Sequence, residues 1–491
     1  MDIYSTIIWS LYCFLCLTLM VYGLNSYSMV ALFMRGRRRA LNADLEREVR
    51  FDKEVSEEDL PVVLTQIPLY NEANVAERVI RAVAEIDYPL SKHQIQVLDD
   101  SNDETVQIVD DLTAQLNADG HWIDVVRRPT REGFKAGALQ YGLNQSDAAF
   151  VAIFDSDFVP TPDFLRKSLP HLMLQKEVGL VQARWGHINA QQSWLTRALA
   201  IGIDAHFLIE QGARSWNGLF LNFNGTAGVW RRQAIDDAGG WESDTLTEDM
   251  DLSYRAQIAG WRMHYVMDLV APAEIPATFT ALKSQQFRWA KGSIQTALKI
   301  LPRVWSSEAS LWKKLQSVFH LTHYFIHFAM MAMALISIPV IFAIIPTWGS
   351  TIWVFAAPPI ILATLGPSLG CVISQKASER RSLRYAFKNL PALILVGFGI
   401  SISNSRAVYE ALIGKQSSFI RTPKSGTQRK KGYRLRKGMQ PWIETLIGAY
   451  CLVAVALAIY FGNYGVIPFA IIYFVSYITI GLSSLNESTS H

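Results

Sequence analysis

Phe150-Val151-Ala152-Ile153-Phe154-Asp155-Ser156-Asp157-Phe158 joins a short apolar run to two carboxylates one residue apart. Along an extended strand successive side chains alternate between faces, which puts Asp155 and Asp157 on one side and Ser156 on the other. Two acids then converge at the end of a buried strand, an arrangement that suits a divalent metal. The spacing alone is weak evidence, because acids two apart more often cap a helix or sit in a solvated turn. Its neighbours give it meaning.

Working outward, residues 60–290 alternate short apolar runs with amphipathic ones. Val62 to Ile67, Ile95 to Leu98, Phe150 to Phe154 and Gly179 to Gln182 read as strands, while Val75, Val79, Val83 and Ile86 recur at helical spacing. The pattern predicts an α/β domain with a mostly parallel sheet covered on both faces. Such sheets bind ligands beyond the carboxyl ends of their strands. The polar clusters stand there: Pro68-Leu69-Tyr70-Asn71-Glu72 after the first strand, Asp99-Asp100-Ser101-Asn102-Asp103 after the second, and Asp155-Ser156-Asp157. The glycines at 133, 137 and 142 do not form a Gly-x-Gly-x-x-Gly run, and no Gly-Lys-Ser/Thr loop occurs, which removes support for dinucleotide and ATP-loop readings.

The 491 residues are 50% hydrophobic, and the mean hydropathy is +0.15. That exceeds the usual globular mix and predicts a membrane part. Forty-six basic residues against 43 acidic ones give a formal charge of only +3, without the broad cationic face that a nucleic-acid partner requires. Cys13, Cys16, Cys371 and Cys451 all fall in apolar stretches, so Cys-x-x-Cys at 13–16 reads as lipid-facing filler and no disulfide framework is implied.

Ile7 to Met34 is long enough to cross roughly 30 Å of hydrocarbon and ends at Arg35-Gly36-Arg37-Arg38-Arg39. It is expected to be an uncleaved anchor with its amino end outside. Apolar segments return at 315–345, 351–373, 386–402, 445–461 and 466–482. Keeping the basic runs Lys376 to Arg384 and Lys415 to Lys437 both inside leaves no spanning passage between them. With Asn389, Pro391, Asn404, Arg406 and Glu410, the stretch Ala386 to Gly414 is expected to lie at the interface or dip partway in. The expected division is an anchor at 1–40, a cytosolic α/β domain at 41–300, a transmembrane hairpin at 301–385, an interfacial helix with a loop at 386–440, and a second hairpin at 441–491, five spans in all. His320, His323 and His327 share a helical face. The outer two lie about 10 Å apart, too far for one ion, and a polar stripe facing other helices or a water-filled path fits better.

Two further clusters complete the pattern. Thr247-Glu248-Asp249-Met250-Asp251 precedes a helical stretch, where a hydroxyl and acids are ordinary capping residues. Gln285-Gln286-Phe287-Arg288-Trp289 opens a helix near the membrane re-entry, where Arg and Trp can simply snorkel.

In this order, Asp99-Asp100, Asp155-x-Asp157, Thr247-Glu248-Asp249 and Gln285-Gln286-x-Arg288-Trp289 resemble the membrane-embedded family 2 glycosyltransferases of the cellulose synthase and hyaluronan synthase group. The runs Gln94 to Ser101, Gly133 to Leu139, Val181 to Trp185 and Phe223 to Arg231 look most like cellulose-synthase-like A enzymes, which make β-1,4-mannan or glucomannan.

That resemblance implies a cytosolic GT-A-type Rossmann-like domain joined to an α-helical membrane domain. It assigns Asp155 and Asp157 to Mg2+ or Mn2+ on the donor diphosphate, with Arg288 and Gln285 beside it. Asp249, with Glu248, becomes the general base of an inverting transfer. Tyr70, Glu72, Asp99, Asp100 and Lys135 fall at nucleotide-sugar positions, and Trp289, Trp185, Asn224 and Gly225 on the acceptor path. Phe419-Ile420-Arg421-Thr422-Pro423-Lys424 is similar to the gating loop of cellulose synthases, with Phe419, Thr422 and Lys424 matching and Arg421 where Val is usual.

The implied protein is a processive β-glycan synthase in a plasma or inner membrane that exports its polymer through its own helices. The implied donor is GDP-mannose first and UDP-glucose next, and the partners are membrane lipid and the growing polysaccharide. Two alternatives stay open: a non-processive transferase adding one sugar to a lipid, and a glycan-binding membrane channel without catalysis. At a helix start the Asp249 carboxyl is expected to be a weak base, with its pKa lowered.

Overall fold

The computed structural model describes residues 2–344, 352–378, 382–416 and 438–489. Within them, β1 (Val63–Leu69), β2 (His93–Asp99), β3 (Trp122–Val126), β4 (Phe150–Ile153), β5 (Val178–His187), β6 (Gly228–Arg231) and β7 (Arg262–Ala273) form one sheet in the order β3-β2-β1-β4-β6-β5-β7. β1 pairs in parallel with β2 and β4, β2 with β3, and β5 with β7, while β6 is antiparallel to β4 and β5. The pleat divides the core as alternation requires. Val63, Ile67 and Ala152 join one apolar cluster, whereas Leu64, Val151 and Ile153 join the cluster on the opposite face. Burial on both faces is why β2 and β4 are covered along their whole length.

The domain's helices are α2 (Ala76–Ala84), α3 (Thr105–Ala118), α4 (Phe134–Leu143), α5 (Phe164–Met173), α6 (Trp194–Asp204), α7 (Gly212–Trp216), α8 (Arg232–Asp237), α9 (Glu248–Ile258) and α10 (Phe279–Ser306). They follow α1 (Ile3–Glu54), whose 52 residues make a rod about 78 Å long. α1 runs past residue 40 without a break, because Arg, Ala, Leu and Glu after the arginine cluster are good helix formers. Its carboxyl-terminal end lies against the sheet domain, where Asp44 meets His264 of β7 at 3.0 Å.

Beyond residue 306 the described elements are α11 (Leu311–Thr322), α12 (Phe325–Leu335), α13 (Ser337–Ile344), α14 (Ile352–Ala377), α15 (Leu383–Gly399), α16 (Ser401–Leu412), α17 (Gln440–Tyr460) and α18 (Ile467–Thr489). Among the described residues, three helical stretches, Ile3–Glu54, Gln440–Tyr460 and Tyr464–Glu487, are each long and apolar enough to cross a membrane. α11 with α12, bent by 57°, and α15 with α16, bent by 41°, pass that test only as broken pairs. The apolar run at 315–345 is thus divided among α11, α12 and α13, and the bend between α15 and α16 falls inside the stretch expected to dip. Gly23 lets α14 press against α1, since a Cβ there would stand 2.4 Å from the Ala363 Cα.

α10 is fixed to α16, α17 and α18. Glu487 of α18 accepts from the Phe279 and Thr280 amides at 2.7 and 2.9 Å, capping its amino end. Lys283 pairs with Glu444 of α17 at 2.9 Å, and Lys291 with Glu410 of α16 at 3.2 Å. The histidine stripe also faces inward: His320 contacts the Tyr254 hydroxyl at 2.7 Å and Asn222 Oδ1 at 3.1 Å, while the helix breaks before His327.

Candidate active site

β1, β2 and β4 end side by side, and their exits open into one cleft against α9 and α10. β4 stops at Ile153, one residue short of the expected strand. Asp155 and Asp157 are brought to the cleft by a tight turn, closed by the Phe158 amide on the Asp155 carbonyl at 3.0 Å. Convergence by pleat alternation is corrected to convergence by a turn, which is why Ser156 also lines the cleft.

Among the described residues the cleft is lined by seven carboxylates, Glu72, Asp100, Asp155, Asp157, Glu248, Asp249 and Glu274, against three fixed cations, Arg131, Lys135 and Arg288. An excess of hard oxygen donors on a low-dielectric floor fits a divalent cation with a bound anion, and the Lys135 ammonium already sits 2.5 Å from Asp155 Oδ1. Asp155 and Asp157 have the right donor chemistry to hold such an ion.

Lys135 stands in the first turn of α4, which Gly133 enters at φ 68°. Its ammonium also donates to the Gly225 carbonyl at 2.7 Å. Burial favours the neutral amine, but Asp155, Glu248 and Asp249 outweigh it and raise the pKa, so Lys135 stays charged. The Phe223–Gly228 loop is tied down from several sides. Thr226 Oγ1 accepts from the Asp155 amide at 2.9 Å, and Gln182 Oε1 from the Asn224 amide at 3.0 Å. Gly225, at φ 79°, brings backbone against the acids: a Cβ there would stand 2.9 Å from Asp249 Oδ2.

Thr247 does not cap α9 with its side chain. Its hydroxyl instead meets Thr296 of α10 at 3.0 Å, and Gly292 lets the two helices touch. Asp249 keeps part of its surface toward the cleft yet is deeply enclosed by protein. Burial, then the neighbouring Glu248 charge, push its carboxyl up to about 7 despite the Met250 amide at 2.8 Å. The expectation of a lowered pKa is overturned, because one amide and the helix start are outweighed by desolvation and a like charge. Burial raises Glu248 as well.

Gln285, Arg288 and Trp289 of α10 line the same cleft, with Trp185 6.4 Å from Trp289 between ring centroids. Arg288 interacts with Glu248, Asp155, Asp249 and Asp157, so it faces the acids rather than snorkelling to lipid. Tyr70, Glu72, Asn224 and Gly225 also line it. Asp99 does not: its carboxylate turns to Arg127 at 2.9 Å and to the Ser101 amide at 3.0 Å, holding the second strand's exit loop in shape. The sequence reading missed Arg128 and Arg131. Arg128 binds Asp100 through two nitrogens at 2.8 and 2.6 Å, and the Arg131 guanidinium lies 3.4 Å from the Tyr70 ring centre. Two arginines just before a glycine-led helix start were the available signal. Phe419, Thr422 and Lys424, the expected gating positions, lie outside the described residues.

A mostly parallel sheet whose strand ends open on an acid-rich cleft is the plan of the GT-A glycosyltransferases. A family model described as "Glycosyltransferase like family 2" matches residues 61–292. The chain is 40% identical over 311 residues to glucomannan 4-beta-mannosyltransferase 2 of Arabidopsis thaliana, covering 61% of this chain and 58% of that protein. It is 34% identical over 457 residues to glucomannan 4-beta-mannosyltransferase 7 of the same plant, covering 89% and 79%. A solved mannosyltransferase from Pyrobaculum calidifontis, in complex with GDP-Man and Mn2+, is similar at a TM-score of 0.48 and 19% identity, over 79% of this chain and 100% of that one. The chain thus belongs to the family 2 glycosyltransferases, in the cellulose-synthase-like A group, and it spans little more than half the length of the first of these plant relatives.

Proposed function

We propose that the protein is an inverting, processive membrane glycosyltransferase that builds β-1,4-mannan or glucomannan from GDP-mannose, with UDP-glucose the next candidate donor. The observation that carries this is one cleft, fixed to membrane helices through α10, that holds Asp155, Asp157, Asp249, Arg288 and Trp289 together.

Tyr70, Glu72 and Asp100 bind the nucleoside, with Arg131 backing the Tyr70 ring and Arg128 orienting Asp100. Asp155 and Asp157 hold a divalent cation, Mg2+ or Mn2+, which supplies Lewis-acid stabilisation of the diphosphate. Arg288 and Lys135 add fixed positive charge to the same oxygens. The bond between the anomeric carbon and the phosphate oxygen breaks, and its electron pair leaves with the diphosphate. The acceptor hydroxyl attacks from the opposite face while Asp249 takes its proton, which inverts an α-linked donor to a β linkage. A base raised to about 7 is ionised for much of the time at neutral pH and accepts a proton far better than an unperturbed aspartate. Trp289 and Trp185 give the acceptor sugars aromatic faces.

The expected division is an N-terminal anchor, a cytosolic catalytic domain and two flanking membrane hairpins around the bent α15–α16 pair, through which the polymer leaves. The test is purified full-length protein given labelled GDP-mannose, GDP-glucose, UDP-glucose and UDP-N-acetylglucosamine in parallel, with linkage analysis of the product. A β-1,4-linked mannan that lengthens with time is expected. A lipid carrying one sugar would replace this reading with the single-addition one, and failure to turn over any donor would favour the channel.

A further inference from the structure

Away from the cleft, where the cytosolic end of α1 lies against the sheet domain, three buried side chains from distant parts of the chain meet. They are Asp44 of α1, His171 of α5 and His264 of β7, and one ligand atom from each lies within 4.8 Å of the other two. Asp44 Oδ1 is 3.0 Å from His264 Nε2 and 3.8 Å from His171 Nδ1. The two imidazoles stack with centroids 4.6 Å apart. His171 is 0% exposed, yet neither of its ring nitrogens has a hydrogen-bond partner, and Asp44 Oδ2 has none either.

A simple Asp44–His264 hydrogen bond with His171 stacked on it leaves those atoms buried and unsatisfied, which native interiors avoid. A metal ion between the three would bind one His171 ring nitrogen and a carboxylate oxygen of Asp44, giving His171 the polar partner it lacks. Ligand atoms around a tetrahedral ion with bonds of about 2.0 Å stand about 3.3 Å apart, a value the two observed separations bracket. Arg47 donates to Asp44 Oδ1 at 2.7 Å and steadies the carboxylate, as outer partners of metal ligands do. Glu48 interacts electrostatically with Asp44, Asp52 and Asp268, so a dication would enter negative surroundings even with Arg47 and Lys167 nearby.

We propose that Asp44, His171 and His264 form a transition-metal site of the Zn2+ class that clamps the anchor helix to the catalytic sheet. Two imidazoles and one carboxylate select zinc and its neighbours, unlike the carboxylate pair at Asp155 and Asp157, which suits Mg2+ or Mn2+. β7 runs from His264 on to Ala273, which lines the cleft beside Glu274, so the clamp joins the membrane anchor to a strand that leads into the site.

The test uses tag-free full-length protein in detergent, incubated with equimolar Zn2+, passed through gel filtration and analysed for metal by mass spectrometry. About one equivalent per chain is expected. It should persist in the Asp155→Asn/Asp157→Asn double variant and fall at least about tenfold in His171→Asn and His264→Asn. Should those variants fail to fold, exchange of Co2+ into the wild type decides the matter, with visible absorption bands of imidazole ligation expected. Wild-type protein that emerges without zinc, histidine variants that keep it, or a Co2+ spectrum of oxygen ligands alone would each overturn the proposal.

Discussion

If Asp249 is the proton acceptor, its perturbed carboxyl writes itself into the pH profile. Burial and the Glu248 charge put it at about 7, against an unperturbed value of 3.8. The reactive form is the carboxylate, so activity is lost as pH falls through about 7 and gained as it rises. Between about pH 5 and 6, kcat/KM for the donor should climb roughly tenfold, reach half its limit near 7 and flatten above about 8. Glu248→Gln removes a like charge, makes ionisation easier and should move the limb to lower pH. Asp249→Asn should lose about 100- to 10,000-fold in kcat, with nucleotide binding retained. The assay is radiolabelled sugar incorporation over a pH series, with nucleotide affinity measured at each pH to separate binding from chemistry. A flat profile across that range, together with an active Asp249→Asn enzyme, would refute the assignment.

Gly225→Ala should fold less stably by about 1–2 kcal/mol, because the residue sits at φ 79°, and should lose about tenfold or more in kcat as its methyl displaces the Asp249 carboxylate. Thermal melts and single-turnover rates check the two effects separately. Trp289→Ala removes an aromatic face worth about 0.5–1.5 kcal/mol, so product chains should shorten by roughly 2- to 10-fold while donor hydrolysis persists, as read by gel sizing. Lys283→Met strands Glu444 without its buried partner and should cost about 3–5 kcal/mol, much of it restored in Lys283→Met/Glu444→Gln, measured by unfolding in detergent.

Much of the site was legible because its residues lie where strands end. Apolar runs of strand length give way to acids at Tyr70–Glu72, Asp99–Asp100 and Asp155–Asp157, and a parallel sheet gathers such exits at one edge. What alternation cannot tell is where a strand stops or which way its last side chain turns. Hence β4 closes into a turn before Asp155, and Asp99, adjacent to the cleft-lining Asp100, is spent on Arg127. A pKa is less legible still. The helix-start signal for Asp249 was local and pointed down, while burial and the Glu248 charge pushed it up against the Lys135 ammonium.

The sequence by itself determined the alternation of strand and helix, the apolar stretches that seek lipid, and the chemical kinds of side chain at each strand exit, since these follow from composition and period along one dimension. Only the tertiary structure decided that α10 hangs from α16, α17 and α18 by Glu410, Glu444 and Glu487, that Arg128 and Arg131 back Asp100 and Tyr70, and that Asp44 meets two distant histidines. Those pairings join residues tens to hundreds of positions apart. Electrostatics and desolvation act through space, on neighbours that no local pattern records.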